Sequence, residues 1–234
     1  DLSAQTLANW ELVAVDDGST DGSDVLLAKA ADHDARIRVL SRAHAGIAPA
    51  LNDGLAAARA PLVARMDADD RMSPDRLAVQ VAAASAHPEW AVVGCRVTMF
   101  PEDLLTDGMR HYRDWLDSVI MPAAIARDIW VESPLPHPSV MFRRAQVLAI
   151  GGYRDGPFPE DYDLWLRLHA AGHTMGKVDA VLVAWREGAG RLSRTDPRYG
   201  PGAFRALKAH HLARSVLAGR TDVQLWGAGP DARA

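Results

Sequence analysis

Glu11-Leu12-Val13-Ala14-Val15-Asp16-Asp17-Gly18-Ser19-Thr20-Asp21-Gly22 reads as a buried strand, Glu11 to Val15, that empties into an acidic turn bounded by glycines. Outward from it, short β-rich runs alternate with helical patterns. Ser23 to Asp34 carries apolar residues at Val25, Leu26 and Leu27 and predicts a helix, and Ile37 to Leu40 a second strand. Ile47 to Arg59 is Ala-rich and helical, and Pro61 stops it. Leu62 to Met66 is a third strand that ends in an acidic cluster. Pro74 to His87 predicts a helix with Pro in its first turn and Pro88 beyond its end, and Ala91 to Met99 a further strand. This β-α-β-α-β order predicts an α/β fold, a mostly parallel sheet sandwiched by helices.

Beyond residue 100 the alternation weakens. Helices are predicted over Tyr112 to Val119, Ala123 to Trp130, Asp161 to Ala171 (ended by Gly172) and Pro201 to Leu217. Strands are predicted over Ser139 to Phe142 and Val178 to Trp185. The chain opens on what reads as a helix end, Leu2 to Leu7, and the expectation is that a segment before it is missing.

Of 234 residues, 26 are Lys or Arg and 30 are Asp or Glu, so the net charge is −4. That balance argues against a nucleic-acid-binding face, which usually needs a basic surplus. Cys95 is the single cysteine, so no internal disulfide can form, as suits a reducing compartment. No apolar run reaches the ~18 residues of a membrane span.

Three acidic constellations carry the chemistry. Asp16-Asp17 stands at the carboxyl end of a strand, where open parallel sheets bind ligands. Two carboxylates there can accept hydrogen bonds from a base or ribose; the same residues also suit a turn that caps the next helix. Arg65-Met66-Asp67-Ala68-Asp69-Asp70 ends the third strand. Asp67 and Asp69 flank one residue and offer the oxygen ligands that Mn²⁺ or Mg²⁺ prefer. A cation held there can bridge a nucleotide diphosphate. Three carboxylates within four residues repel one another unless a cation sits among them, which favours this reading over a solvated acidic loop. Glu160-Asp161 opens a predicted helix, where the dipole favours negative charge, so ordinary helix chemistry accounts for it; a general base is the functional reading. Arg191, Arg194 and the pair Arg143-Arg144 could meet phosphates. His137, between two prolines, could line an acceptor side, and His210-His211 reads as surface. Trp10, Trp90 and Trp165 read as core.

In order, VDDGSTDGS, HAGIAPALNDGL, ARMDADD followed by PDRL, HPSVMFRR with GGY, and EDYDLWLRL resemble the inverting glycosyltransferases of family 2, which have a GT-A fold. The resemblance covers roughly residues 3 to 200. It implies that Asp17 contacts the nucleotide base with Asp16 nearby, and that Asn52 and Arg65 belong to the nucleotide-sugar site. Asp67 and Asp69 match the DxD motif. Asp69 would be the main metal ligand, with Asp67 at the ribose or the metal-bound diphosphate. Asp161 would be the catalytic base, with Glu160 as fallback. The implied reaction is an in-line displacement that moves a sugar from a nucleotide sugar, most commonly a UDP-sugar, to a saccharide or lipid-linked acceptor. It implies a role in bacterial surface polysaccharide or glycoconjugate synthesis, in the cytoplasm or peripherally at the inner face of the membrane. Two departures concern donor detail: His44 stands where the wider family has Asn, and Arg65 before the DxD is not universal in it; the family's first strand is also absent, in keeping with the truncation.

Residues 1–220 are therefore expected to form an N-terminally truncated GT-A domain. Residues 221–234 would be the start of a truncated segment or a flexible tail, with a G-x-G-x-x-A pattern from Gly227 to Ala232. A catalytically inactive nucleotide-sugar-binding protein is the alternative. A phosphohydrolase with an Asp-x-Asp nucleophile would need a lysine and a hydroxyl residue beyond that motif, and Asp70-Arg71-Met72 supplies neither.

Overall fold

The computed structural model describes residues 1–224; the glycine pattern of the tail lies outside them. β1 (Leu12–Asp16) and β2 (Ile37–Ser41) pair in parallel across the crossover helix α1 (Ser23–His33). α2 (Ile47–Ala57) follows, then β3 (Leu62–Ala64), β4 (Arg71–Met72), α3 (Arg76–Ala86) and the long β5 (Trp90–Phe100). α4 (Asp107–Ser118), α5 (Pro122–Asp128), β6 (Met141–Arg143) and α6 (Arg144–Ala149) lead to α7 (Glu160–Ala170). β7 (Thr174–Arg186), α8 (Leu192–Thr195) and α9 (Pro201–Arg214) complete the described chain.

The strands form two sheets: β1-β2, and β3-β6-β5-β7-β4. The two long ladders, β1–β2 and β5–β7, are parallel; three short antiparallel ladders attach β6, β3 and β4. Pairing is thus parallel in the two long ladders, and the five-stranded sheet is mixed. β1 and β3 each have a neighbour on one side only, and between them lies a groove of about 590 Å³ lined largely by apolar residues, among them Leu12, Val13, Val15, Leu62 and Val63.

β4, α6 and α8 are too short to show in sequence periodicity. α4 starts at Asp107 rather than Tyr112 because the Thr106 hydroxyl accepts the N–H of Met109 at 3.3 Å and caps the first turn.

α7 is the centre of the core. Tyr162, Leu164, Trp165, Leu166 and Leu168 are fully buried, so the helix is enclosed nearly all round. The Trp165 indole donates to the Leu135 carbonyl at 3.2 Å, which satisfies its only polar atom. Arg167, also buried, donates to Asp163 at 2.7 Å and to the carbonyls of Ile150 and Gly152. His211 meets the other Asp163 oxygen at 3.1 Å. The expectation that His211 lies on the surface is corrected: it is buried, held there by this carboxylate.

Arg76 and Gln80 on α3 are wholly buried. Arg76 donates to Gln80 Oε1 at 3.0 Å and to the Arg65 carbonyl at 2.8 Å; Gln80 donates to the carbonyls of Val93 and Ser139. Together they tie α3 to the end of β3 and to the turn before β6. Arg143 and Arg144, offered above as phosphate partners, are structural: Arg143 donates to the carbonyls of Trp90 and Ala84, and Arg144 to those of Leu55 and Ala56. They satisfy carbonyls near the ends of α2 and α3. No helix among the described residues is long and apolar enough to cross a membrane.

Candidate active site

Beside the ends of β3 and β7 opens a cleft of about 780 Å³. Eight of the predicted residues line it: Arg65, Asp67, Asp69, His137, Glu160, Asp161, Arg191 and Arg194. They come from the β3 end, the turn before β6, the first turn of α7 and the segment around α8, so the fold joins motifs that lie far apart in sequence.

On one wall the Arg65 guanidinium, with its side chain largely buried, ion-pairs with Asp67. Asp69 is exposed at the rim. Asp70 is buried; its Oδ1 accepts the N–H of Arg186 at 2.7 Å, while Oδ2 has no partner among the described residues. Burial, aided by the charges of Asp67 and Asp69, pushes the Asp70 carboxyl up to about 6. Arg186 also donates to the Asp69 carbonyl at 2.8 Å, so the acidic loop is strapped to the end of β7.

The donor set fits a hard divalent cation: oxygen ligands only, crowded by mutual repulsion, with one orphaned buried oxygen. No three His, Cys, Asp or Glu side chains among the described residues converge on one point. A cation here would be held by one or two carboxylates and by phosphate and water, the usual habit of Mg²⁺.

Glu160 and Asp161 open α7 and line the same cleft. Asp161 Oδ1 accepts the N–H of Tyr162 at 2.7 Å. Desolvation, with the charge of Glu160, pushes Asp161 up to about 7, near the value a general base needs at neutral pH. Glu160 is almost fully buried, and its Oε2 accepts the Tyr199 hydroxyl at 2.6 Å. Burial and the charge of Arg65 hold His137 well below its ordinary range. Arg191 and Arg194 share the buried carboxylate of Glu187, at 2.8 and 3.2 Å, and Arg191 also lies over the Trp185 ring. Thus Glu187 already partners both arginines.

Three predicted residues stand outside this cleft. Asp16 is buried and accepts the N–H of Ser19, forming its own turn. Asp17 accepts the N–H groups of Ala45 and Gly46 at 3.1 and 2.8 Å and ion-pairs with Arg42, and His44 Nδ1 lies 2.9 Å from it. Burial alone would raise its carboxyl; these partners hold it below the ordinary range. Ile47, next to Gly46, lines the cleft, so Asp17 lies at its margin. Asn52 is committed elsewhere: its amide donates to the Tyr153 carbonyl at 2.8 Å and accepts the Tyr153 N–H at 2.9 Å. Arg76, Glu187 and Tyr199, which bond the groups above, carry no signal in the sequence beyond the place of Arg76 within PDRL.

The sequence profile described as "Glycosyl transferase family 2" matches residues 1–149. The amylovoran biosynthesis glycosyltransferase AmsE of Erwinia amylovora is 30% identical over 195 residues, 82% of this chain and 70% of AmsE. EpsE of Bacillus subtilis (strain 168) is 33% identical over 204 residues, 85% of this chain and 70% of EpsE. Among solved structures, S. aureus TarS in complex with UDP-GlcNAc superposes with a TM-score of 0.71 at 15% identity, covering 92% of this chain and 61% of TarS 1–349. The mannosyltransferase PcManGT from Pyrobaculum calidifontis, in complex with GDP-Man and Mn²⁺, gives 0.62 at 21% identity, covering 94% and 59%. These two likenesses concern the fold, and the chain spans about three fifths of each.

Proposed function

This chain belongs to glycosyl transferase family 2, and on that premise we propose that it is an inverting, metal-dependent glycosyltransferase that moves a sugar from a nucleotide-diphosphate sugar to an acceptor hydroxyl in polysaccharide synthesis. The observation that carries the reading is the one cleft lined by Asp67 and Asp69 and also by Glu160 and Asp161. Asp69, with Asp67 beside it, would hold Mn²⁺ or Mg²⁺, which stabilises the charge developing on the diphosphate. Arg65 fixes Asp67 and so sets the donor wall. Asp161 takes the proton of the acceptor hydroxyl as its oxygen bonds to the anomeric carbon. The bond from that carbon to the diphosphate breaks on the opposite side, its electron pair leaving with the phosphate. The configuration inverts, and the leaving group needs no proton. AmsE is named for amylovoran biosynthesis and PcManGT is solved with GDP-Man and Mn²⁺, which supports the polysaccharide and metal readings.

The test is a thermal-stabilisation screen of UDP-, GDP- and dTDP-sugars with and without Mn²⁺. A ligand at a hundred times its Kd adds about 2.7 kcal/mol of stability. Asp69→Ala should remove the Mn²⁺-dependent part and leave the unliganded melting curve unchanged. Unaltered Mn²⁺-dependent affinity in that variant sinks the metal assignment. Binding without turnover on any acceptor favours the inactive binding protein instead.

A further inference from the structure

We infer that Tyr199 is a positioning residue for the reaction: with the edge of His137 it holds Glu160 in place and leaves Asp161 as the carboxylate turned to the acceptor. The inference rests on Asp161 being the base, as proposed above.

Two acids side by side at the start of a helix are, by sequence, interchangeable. The structure makes them unequal. Glu160 Oε2 accepts the Tyr199 hydroxyl at 2.6 Å, and Oε1 faces His137 Nδ1 at 3.9 Å. His137 Nε2 lies 2.8 Å from the Tyr153 hydroxyl. Burial keeps the Tyr153 phenol protonated and His137 neutral. The network is therefore assigned with Tyr153 donating to Nε2 and the Nδ1 proton turned toward Glu160. Asn52 clamps the Tyr153 backbone from α2, so the chain of contacts is anchored outside the cleft. Tyr199 is itself pushed up by burial and by the charge of Glu160, so it remains a donor.

Asp161 has no such side-chain partner among the described residues; its bonded contact is the Tyr162 N–H of its own helix. The titratable and charged groups coupled to it are Glu160 and Tyr162 on α7, Arg65 from the β3 end, Tyr112 from α4, Tyr153 from the loop after α6, and Tyr199 from the turn after α8. Arg65 favours its anion, whereas Glu160 favours its protonated form. Tyr199 thus acts on Asp161 through Glu160: the hydroxyl that bonds the Glu160 carboxylate holds it beside Asp161, where its charge favours the proton on Asp161.

The experiment is a carboxyl ¹³C NMR titration of the full chain without donor, on wild type, Tyr199→Phe, Glu160→Gln and the double variant. Loss of the hydroxyl should lower the pH at which Asp161 titrates by about one unit. In the Glu160→Gln background Tyr199→Phe should move Asp161 by less than half as much as in the wild type, because the relay through Glu160 is gone. Should Tyr199→Phe fail to fold, 3-fluorotyrosine installed at position 199 donates more strongly and should shift Asp161 upward. An unmoved Asp161, or an effect that persists undiminished in Glu160→Gln, overturns the role of Tyr199. Asp161→Asn, assayed for nucleoside diphosphate release from UDP-GlcNAc and GDP-Man, reports separately on the base: normal release sinks the base reading, whatever Tyr199 does.

Discussion

Replacing Asp161 by Asn should stabilise the protein at alkaline pH even as it removes the proposed base. The carboxyl is pushed from an ordinary 3.8 up to about 7 by desolvation and by Glu160. The folded state therefore holds this proton more tightly than the unfolded chain does. The resulting penalty is absent below about pH 4, grows between about pH 4 and 7, and is constant above. Three pH units correspond to about 4 kcal/mol. Asp161 is partly open to the cleft, and water there screens the cost to about 2 kcal/mol. Asn carries no charge to desolvate. For a chain of this length the gain at pH 8 should read as a rise in Tm of about 4–8 °C, with almost none at pH 4. Paired thermal melts of wild type and variant at the two pH values measure it. An equal shift at both, or a lower Tm at pH 8, would refute the claim that Asp161 is held as a costly anion.

Arg76→Leu should cost about 2–4 kcal/mol in urea unfolding, because it orphans the Arg65 and Val140 carbonyls and the Gln80 amide. Asn52→Ala removes both bonds to the Tyr153 backbone and should cost about 2–3 kcal/mol, read by the same assay, while metal-dependent nucleotide affinity falls less than in Asp69→Ala. His211→Phe strips one partner from the buried Asp163 carboxylate and should cost about 1–3 kcal/mol at pH 7, the loss shrinking as acid protonates Asp163. Trp165→Ala empties the middle of the core and should cost about 3–5 kcal/mol.

Much of the fold was legible because strand and helix periods differ and proline and glycine punctuate them. Pro61, Pro88 and Gly172 each stand just beyond the end of an element. The acids of the cleft were legible too, since like charges at strand ends and helix starts need a reason to be there. Their partners were not. Glu187, Tyr199 and Arg76 belong to ordinary-looking stretches, and their meaning arises only when β7, the turn after α8 and α3 reach the same cleft or its support. Asn52 misled for the opposite reason: a polar residue in a resembling motif was read as a ligand contact, while its amide had a backbone to hold. Gly152 shows that fit from the other side. Its φ of +66° excludes ordinary side chains, and a Cβ there would stand 2.6 Å from Asn52 Oδ1.

The unit formed by β1, α1 and β2 supplies no member to any of the apolar clusters that make up the interior, and α1 has no buried residue. A lone two-stranded ribbon is marginal in water. Residues 11–41 should therefore open and reclose at a free energy well below that of global unfolding, and their amides should exchange with deuterium long before those of α7. Asp17 follows directly on β1 of this unit and Asp69 does not, so under the proposed function donor occupancy should slow exchange at Val13 and Val15 first.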